Sequence, residues 1–190
     1  MKKILILLYL FTLPAQAGLV LDGHIGYGIS NNFETTGVKD VSYDGAVLGA
    51  RIGVSLFSFI LVGGDLSYSD NKFEYTDTTT DIGYKIPAPR LDYGIFFGFE
   101  LPIMLRFWGS YYLKSDLQIK DQFGTELEGK AYGVGVGWTL LPFVSINGEY
   151  RMYEYNQSTG SNSDLPPLSD DNKLKGNWFL LTIGVYANLF

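Results

Sequence analysis

From residue 18 onward, apolar and polar side chains alternate with a period of two, the spacing of strands that meet an apolar phase on one face only. Eight segments carry the pattern: Leu19–Ser30, Asp44–Leu56, Ile60–Ser69, Arg90–Leu101, Ile103–Lys114, Lys130–Leu140, Val144–Tyr155 and Trp178–Phe190. In the second, Ala46, Leu48, Ala50, Ile52, Val54 and Leu56 oppose Val47, Gly49, Arg51, Gly53 and Ser55. In the sixth, Tyr132, Val134, Val136, Trp138 and Leu140 oppose Ala131, Gly133, Gly135, Gly137 and Thr139. The apolar parity runs for roughly ten residues in most segments, close to the 9–11 that a tilted strand needs to cross a bilayer.

The connections alternate in length. Phe57-Ser58-Phe59, little more than Pro102, and Leu141-Pro142-Phe143 are short. Asn31–Tyr43, Asp70–Ala88, Ser115–Gly129 and Asn156–Asn177 are long and polar. Short turns at one end and long loops at the other are the layout of an outer-membrane meander. The pattern therefore predicts an all-β fold: an eight-stranded antiparallel up-and-down transmembrane β-barrel, with both termini on the short-turn, periplasmic side.

A soluble barrel would bury the apolar parity. At eight strands the interior is only just wide enough for side chains, and rings of Leu, Ile and Phe do not fit it. Facing lipid, the same residues need no partner, and closure leaves no unpaired strand edge. The aromatics agree. Phe57, Phe59, Phe99, Phe143 and Phe190 lie near the short turns, and Tyr27, Tyr68, Tyr93, Tyr111, Tyr132 and Tyr150 lie toward the loops. Two aromatic girdles are expected at the two membrane interfaces.

Residues 1–17 change the picture from a barrel to an exported barrel. Lys2 and Lys3 precede the short apolar run Ile4–Leu13, Pro14 breaks it, and Ala15-Gln16-Ala17 fits a cleavage site. Residues 1–17 are expected to be a signal peptide and residues 18–190 the barrel domain. The net charge is −6, against a nucleic-acid partner, which calls for a basic face. Without cysteine there is neither a disulfide nor a thiolate metal site.

Taken together, the N-terminal signal, the eight alternating strands, the four long loops and the terminal Phe190 resemble the OmpA/OmpX-type family of small outer-membrane barrels. The resemblance covers the whole mature chain and is architectural. It implies a monomer in the outer membrane of a Gram-negative bacterium, in contact with outer-membrane lipid and lipopolysaccharide. It also implies that the last strand, ending at Phe190, is read by the barrel-assembly machinery. One departure stands out: Asn188 occupies a place where these proteins often carry an aromatic, and the apolar parity ends on Leu189.

The opposite parity holds the candidate chemistry. Its acids are Asp22, Asp65, Asp92, Glu100 and Glu149, and its bases are Arg51, Arg90, Arg106, Lys114 and Arg151, with His24 among them. Charges of both signs in so narrow a lumen are expected to pair, since an isolated buried charge costs several kcal/mol. Arg51 and Asp65 fall at nearly the same height on neighbouring strands. Gly133, Gly135 and Gly137 leave room for the large groups beside them, so the lumen is expected to be plugged. A structural or surface-interaction role through the four loops follows. The alternatives are a narrow ion or small-solute conduit and a lipid-modifying enzyme. Catalysis would rest on His24 with Ser55 or Ser67, Ser30 being too far along its strand, and a core histidine bonded to Asp22 or Asp65 is the favoured reading. No cofactor is expected. One His without Cys cannot build a standard zinc site. Asp77, Asp81, Asp164, Asp170 and Asp171 lack the spacing of a calcium loop. Gly26-x-Gly28 is no phosphate loop, because no helix follows it. Phe73, Tyr75, Leu165, Pro166, Pro167 and Leu168 are apolar within loops and are expected mainly to pack the loops together.

Overall fold

Strands that present hydrocarbon-compatible residues outward and polar ones inward have one stable arrangement, a ring. A computed structural model of the protein describes residues 17–34, 38–77, 83–120, 124–159 and 173–189. Within these residues lie β1 (Ala17–Glu34), β2 (Val38–Leu56), β3 (Ile60–Asp77), β4 (Gly83–Pro87), β5 (Arg90–Glu100), β6 (Leu105–Ile119), β7 (Thr125–Leu141), β8 (Val144–Thr159) and β9 (Leu174–Leu189). Each ring strand pairs antiparallel with its neighbours, and β1 meets β9 through the register Leu19↔Leu189 to Ile25↔Ile183, which closes the barrel.

Nine strands make eight spans, because β4 and β5 are one span interrupted at Pro87-Ala88-Pro89. Proline has no N–H to give to a ladder. Ala88 N still donates to Asn71 O at 2.8 Å, and Pro87 O and Pro89 O accept from Lys120 N and Gln118 N at 2.9 Å each. The ladder thus crosses the break on both sides.

The strands run well beyond the predicted segments. β2 begins at Val38, β3 continues to Asp77, β6 reaches Ile119, β7 begins at Thr125, β8 continues to Thr159 and β9 begins at Leu174. By sequence these stretches belong to the long polar loops. The physical reason is an inversion. Near the membrane the outward residues are apolar, such as Ile25, Leu48, Ile52, Phe97, Val134, Leu181 and Ile183, all exposed. Farther toward the loops the outward residues are Asp70, Lys72, Asp116, Gln118, Glu126, Glu128, Lys130 and Lys175, while Tyr43, Leu117, Ile119, Leu127, Tyr155 and Leu174 are buried inside. The period of two persists, but its sense reverses. A strand of this length is about 60 Å long and, tilted about 40°, rises roughly 45 Å against an apolar band about 25 Å tall, so the upper barrel extends beyond that band and carries its own apolar core.

One inward assignment needs correction. Lys114 does not face the lumen. A register shift between Tyr112 and Ser115 puts both Leu113 and Lys114 outside, where Lys114 Nζ lies 2.9 Å from Asp116 and 3.6 Å from Glu128. Glu100 turns inward as expected, half-buried at the rim on the short-turn side. The fifth segment also starts later than predicted: Ile103 belongs to the turn between β5 and β6. Residues 1–16, Asp81, Asp164–Asp171 and Phe190 lie outside the described residues, as do the side chains of Tyr75 and Asp77. The readings made of them are carried no further from the fold.

Candidate functional site

The lumen is built in layers, and the strand period decides who enters each. Lowest are Val20, Leu61, Phe96, Trp108 and Tyr186, packed into one apolar cluster. Above it every inward position of β1, β2, β3, β6 and β8 at one height is ionic or polar.

Arg51 occupies the centre. Its Nε donates to Asp65 Oδ2 at 2.9 Å, its Nη1 to Asp22 Oδ2 at 3.3 Å, and its Nη2 to Glu149 Oε2. Three strands each contribute one carboxylate to this guanidinium, which also lies 4.3 Å from the centre of the Trp108 ring. Arg106 Nη1 bonds Asp22 Oδ2 and its Nη2 bonds Asn147 Oδ1, both at 3.1 Å. Trp108 Nε1 donates to Glu149 Oε2 at 3.2 Å. Tyr112 Oη is 3.0 Å from both Asp65 and Glu149, so its single proton serves one carboxylate at a time.

The next layer is organised by Asp92. Its carboxylate accepts from Arg90 Nε at 3.2 Å, Arg151 Nη1 at 3.1 Å, Ser115 Oγ at 2.6 Å and Tyr153 Oη at 3.2 Å. Arg151 links the two layers, because its Nε bonds Glu149 Oε1 at 2.6 Å. Arg90 sits among aromatic faces, 3.8 Å from the Tyr153 ring centre, 4.1 Å from Trp178 and 5.0 Å from Tyr43. A guanidinium stacked between rings is attracted to their faces while it stays out of water. Above it, Tyr43, Trp178, Leu117, Leu127, Tyr155 and Leu174 pack together as a buried aromatic and aliphatic cluster.

Glycine decides where the large groups fit. A Cβ on Gly135 would sit 2.3 Å from the Trp108 ring, one on Gly133 2.8 Å from Glu149 Oε1, and one on Gly137 2.3 Å from Asn147 Oδ1. The inward stripe of β7 is the wall against which the network is packed. Gly49 does the same for His24, and Gly28 for Trp178.

Of the residues singled out in the sequence, Asp22, Arg51, Asp65, Arg106, Glu149, Arg151, Asp92 and Arg90 form one connected buried cluster. His24 is buried at its edge, with Nδ1 3.6 Å from Asp22 Oδ1, beyond hydrogen-bond length. The two serines that would make a nucleophile are engaged elsewhere. Ser55 Oγ donates to Asn188 Oδ1 at 2.9 Å, and Ser67 Oγ accepts from Arg151 Nη1 at 2.6 Å. Among the described residues, no group of three or more His, Cys, Asp or Glu could hold a metal ion.

Sequence reasoning missed Tyr43, Asn147, Ser115 and Tyr155 as members of the ionic cluster and the apolar one above it. Asn147 shares the inward parity of Glu149 and Arg151 but carries no charge to mark it; for the other three the signal was the same parity, followed past the point where its apolar and polar senses exchange. The oddity of Asn188 also resolves. Asn188 and Tyr186 turn toward the axis, where Tyr186 Oη and Asn188 Nδ2 both donate to Glu100 Oε2, at 2.6 and 3.1 Å. An aromatic at 188 would lose the ties to both Ser55 and Glu100.

No family model and no curated protein matches the sequence. Solved structures do match. Neisserial surface protein A is 12% identical, with 91% of this chain and 99% of that one covered, at a TM-score of 0.53. Ail, the attachment invasion locus protein of Yersinia pestis, is 13% identical over 90% of this chain and 98% of its own, at 0.50. OprG from Pseudomonas aeruginosa is 12% identical over 93% and 96%, at 0.49. At such identities what is shared is the fold, and by its architecture this chain is a small eight-stranded outer-membrane β-barrel.

Proposed function

We propose that the protein is an exported, monomeric outer-membrane barrel whose lumen is a structural plug and whose work is done at its extracellular end. The carrying observation is the seating of Arg51 among Asp22, Asp65 and Glu149, beneath a cluster of buried aromatic and aliphatic groups. A conducting path needs mobile, hydrated charges. Here four carboxylates and four guanidiniums hold one another, which is how buried ions offset their desolvation. The enclosure of His24, 2% exposed, speaks against catalysis on any external substrate.

The extracellular end supports a surface role. Outward Lys72, Lys114, Lys130 and Lys175 stand just above the tyrosines Tyr68, Tyr111, Tyr132 and Tyr150. That is the height at which phosphates of lipopolysaccharide meet a barrel, so this lipid is the first partner we assign. Export by residues 1–17 and recognition of the last strand by the assembly machinery belong to the same reading.

The test is electrical. Purified protein in a planar bilayer is expected to give no steady conductance, and liposomes carrying it no swelling in small solutes. A large, stable open state would overturn the plug. For the surface role, protein reconstituted with lipopolysaccharide is expected to resist thermal unfolding more than protein in phospholipid alone. Equal resistance in both would remove lipopolysaccharide as a partner.

A further inference from the structure

The periplasmic end is built from unusual material. Its three turns, Phe57-Ser58-Phe59, Leu101-Pro102-Ile103-Met104 and Leu141-Pro142-Phe143, contain no charged residue. Turns in water are ordinarily Gly, Pro, Asn, Asp and Ser, and of these the three turns keep only Ser58, Pro102 and Pro142. Here Ile103 is 67% exposed and Leu141 62%, as bare as Ile183 at 59% in the lipid-facing belt.

The backbone sharpens the point. Phe57, Ser58, Met104 and Phe143 have φ of 54°, 63°, 63° and 70°. The first two are the central pair of a hairpin turn, a place that favours Asn-Gly. A left-handed conformation is a strain for L residues with bulky side chains, and Gly or Asn would relieve it. The sequence instead keeps Phe and Met where they hold apolar side chains at the rim.

Between these turns lies a cavity of about 730 Å³, walled by Phe57, Phe59, Leu101, Met104, Leu140 and Phe143. Its inner end is blind. Tyr186 and Asn188 bond Glu100 there, and Val20, Leu61, Phe96 and Trp108 pack with Tyr186 above it. The polar groups in its lining are few: Glu100 accepts from Tyr186 and Asn188, and Thr139 Oγ1 is buried without a partner.

We infer that this end of the barrel is immersed in the periplasmic leaflet and that the blind cavity takes an acyl chain of a phospholipid. Lipid is the occupant because the turns continue the lipid-facing belt without a polar break, from Val144, Ile146 and Leu189 over the rim to Phe143 and Leu141. A docked protein would be expected to meet a polar rim, and of the turn residues only Ser58 is polar. An alkyl chain needs only apolar walls. The inference rests on the outer-membrane placement proposed above and not on the plug, so a conducting lumen would leave it standing.

The chain has no cysteine, so single-cysteine variants take one spin label each. Ser58→Cys, Ile103→Cys and Phe143→Cys are compared in liposomes with Ile183→Cys in the belt and Lys130→Cys above it. Collisions with oxygen, relative to those with a water-soluble nickel chelate, are expected to match Ile183→Cys within about twofold. A match to Lys130→Cys would overturn the immersion. Labels shielded from both reagents in native outer-membrane vesicles, yet open to nickel in liposomes, would assign the rim to a protein partner and overturn it too. For the cavity, native mass spectrometry of barrel extracted from membranes is expected to show one retained phospholipid. The double variant Met104→Asn/Phe143→Asn, which also eases both left-handed residues, is expected to lose it while still migrating as a folded barrel. No retained lipid in the parent, or equal retention in a folded variant, would overturn the site.

Discussion

The lower and upper halves of the barrel use one backbone and opposite solvents. In the lower half, Arg51, Asp65 and Glu149 face the axis while Leu66, Ile52 and Tyr150 face lipid. In the upper half, Leu117, Leu127 and Tyr155 face the axis while Asp116, Glu128 and Lys130 face water. The hydrophobic effect drives only the upper half in the ordinary way, by taking apolar area out of water. In the lower half the outside is hydrocarbon, so burial inside has to be justified by pairing. One strand period therefore serves an ionic layer that rests on a small apolar cluster in the lower half and a larger apolar core in the upper half.

The largest effect should come from unbalancing the ionic core. Arg51→Ala leaves Asp22, Asp65 and Glu149 facing one another in a buried site, and breaking such a cluster costs about 3–5 kcal/mol. Urea unfolding of the reconstituted barrel is expected to show that loss. A drop below 1 kcal/mol would mean that water enters the lower lumen and that the two halves differ less than drawn here. Charging the outside comes next. Ile183→Arg near mid-membrane is expected to destabilise by about 2–4 kcal/mol, read in the same titration. Overpacking the wall is smaller: Gly135→Ala pushes a methyl into the Trp108 ring, and about 1–3 kcal/mol is expected, with a change in tryptophan fluorescence. Lys130→Gln, outside the upper half, is expected to alter stability by no more than about 0.5 kcal/mol. A gain as large as the loss expected for Ile183→Arg would place Lys130 in the membrane, where removing its charge is favourable, and erase the contrast.

The same division explains what was legible beforehand. The spans from Leu19 to Ile29 and from Ala46 to Leu56 were readable because lipid-facing residues are uniformly apolar there, whatever the lumen holds. The lumen list was also readable, since parity assigns Asp22, Arg51 and Asp65 to one face. The upper strands were not. Stretches such as Ser115–Ile119 and Thr125–Gly129 carry acids outside and aliphatics inside, which in isolation is the pattern of any polar connection. Lys114 was misplaced because a bulge changes parity without any mark in composition. Who bonds whom was beyond reach, because cross-strand register sets it. The pairing Arg51↔Asp65 holds only while β2 and β3 keep their alignment.

Three aromatic groups in the lumen lie against bare backbone: Trp108 on Gly135, His24 on Gly49 and Trp178 on Gly28. Each pair is a tooth and its notch on neighbouring strands: β6 and β7, β1 and β2, and β9 and β1. Homologues that drift at one member must drift at the other, a large residue shrinking as its notch fills. An alignment of related chains should therefore carry these three couplings as its clearest covariation, even where every ionic residue has been exchanged.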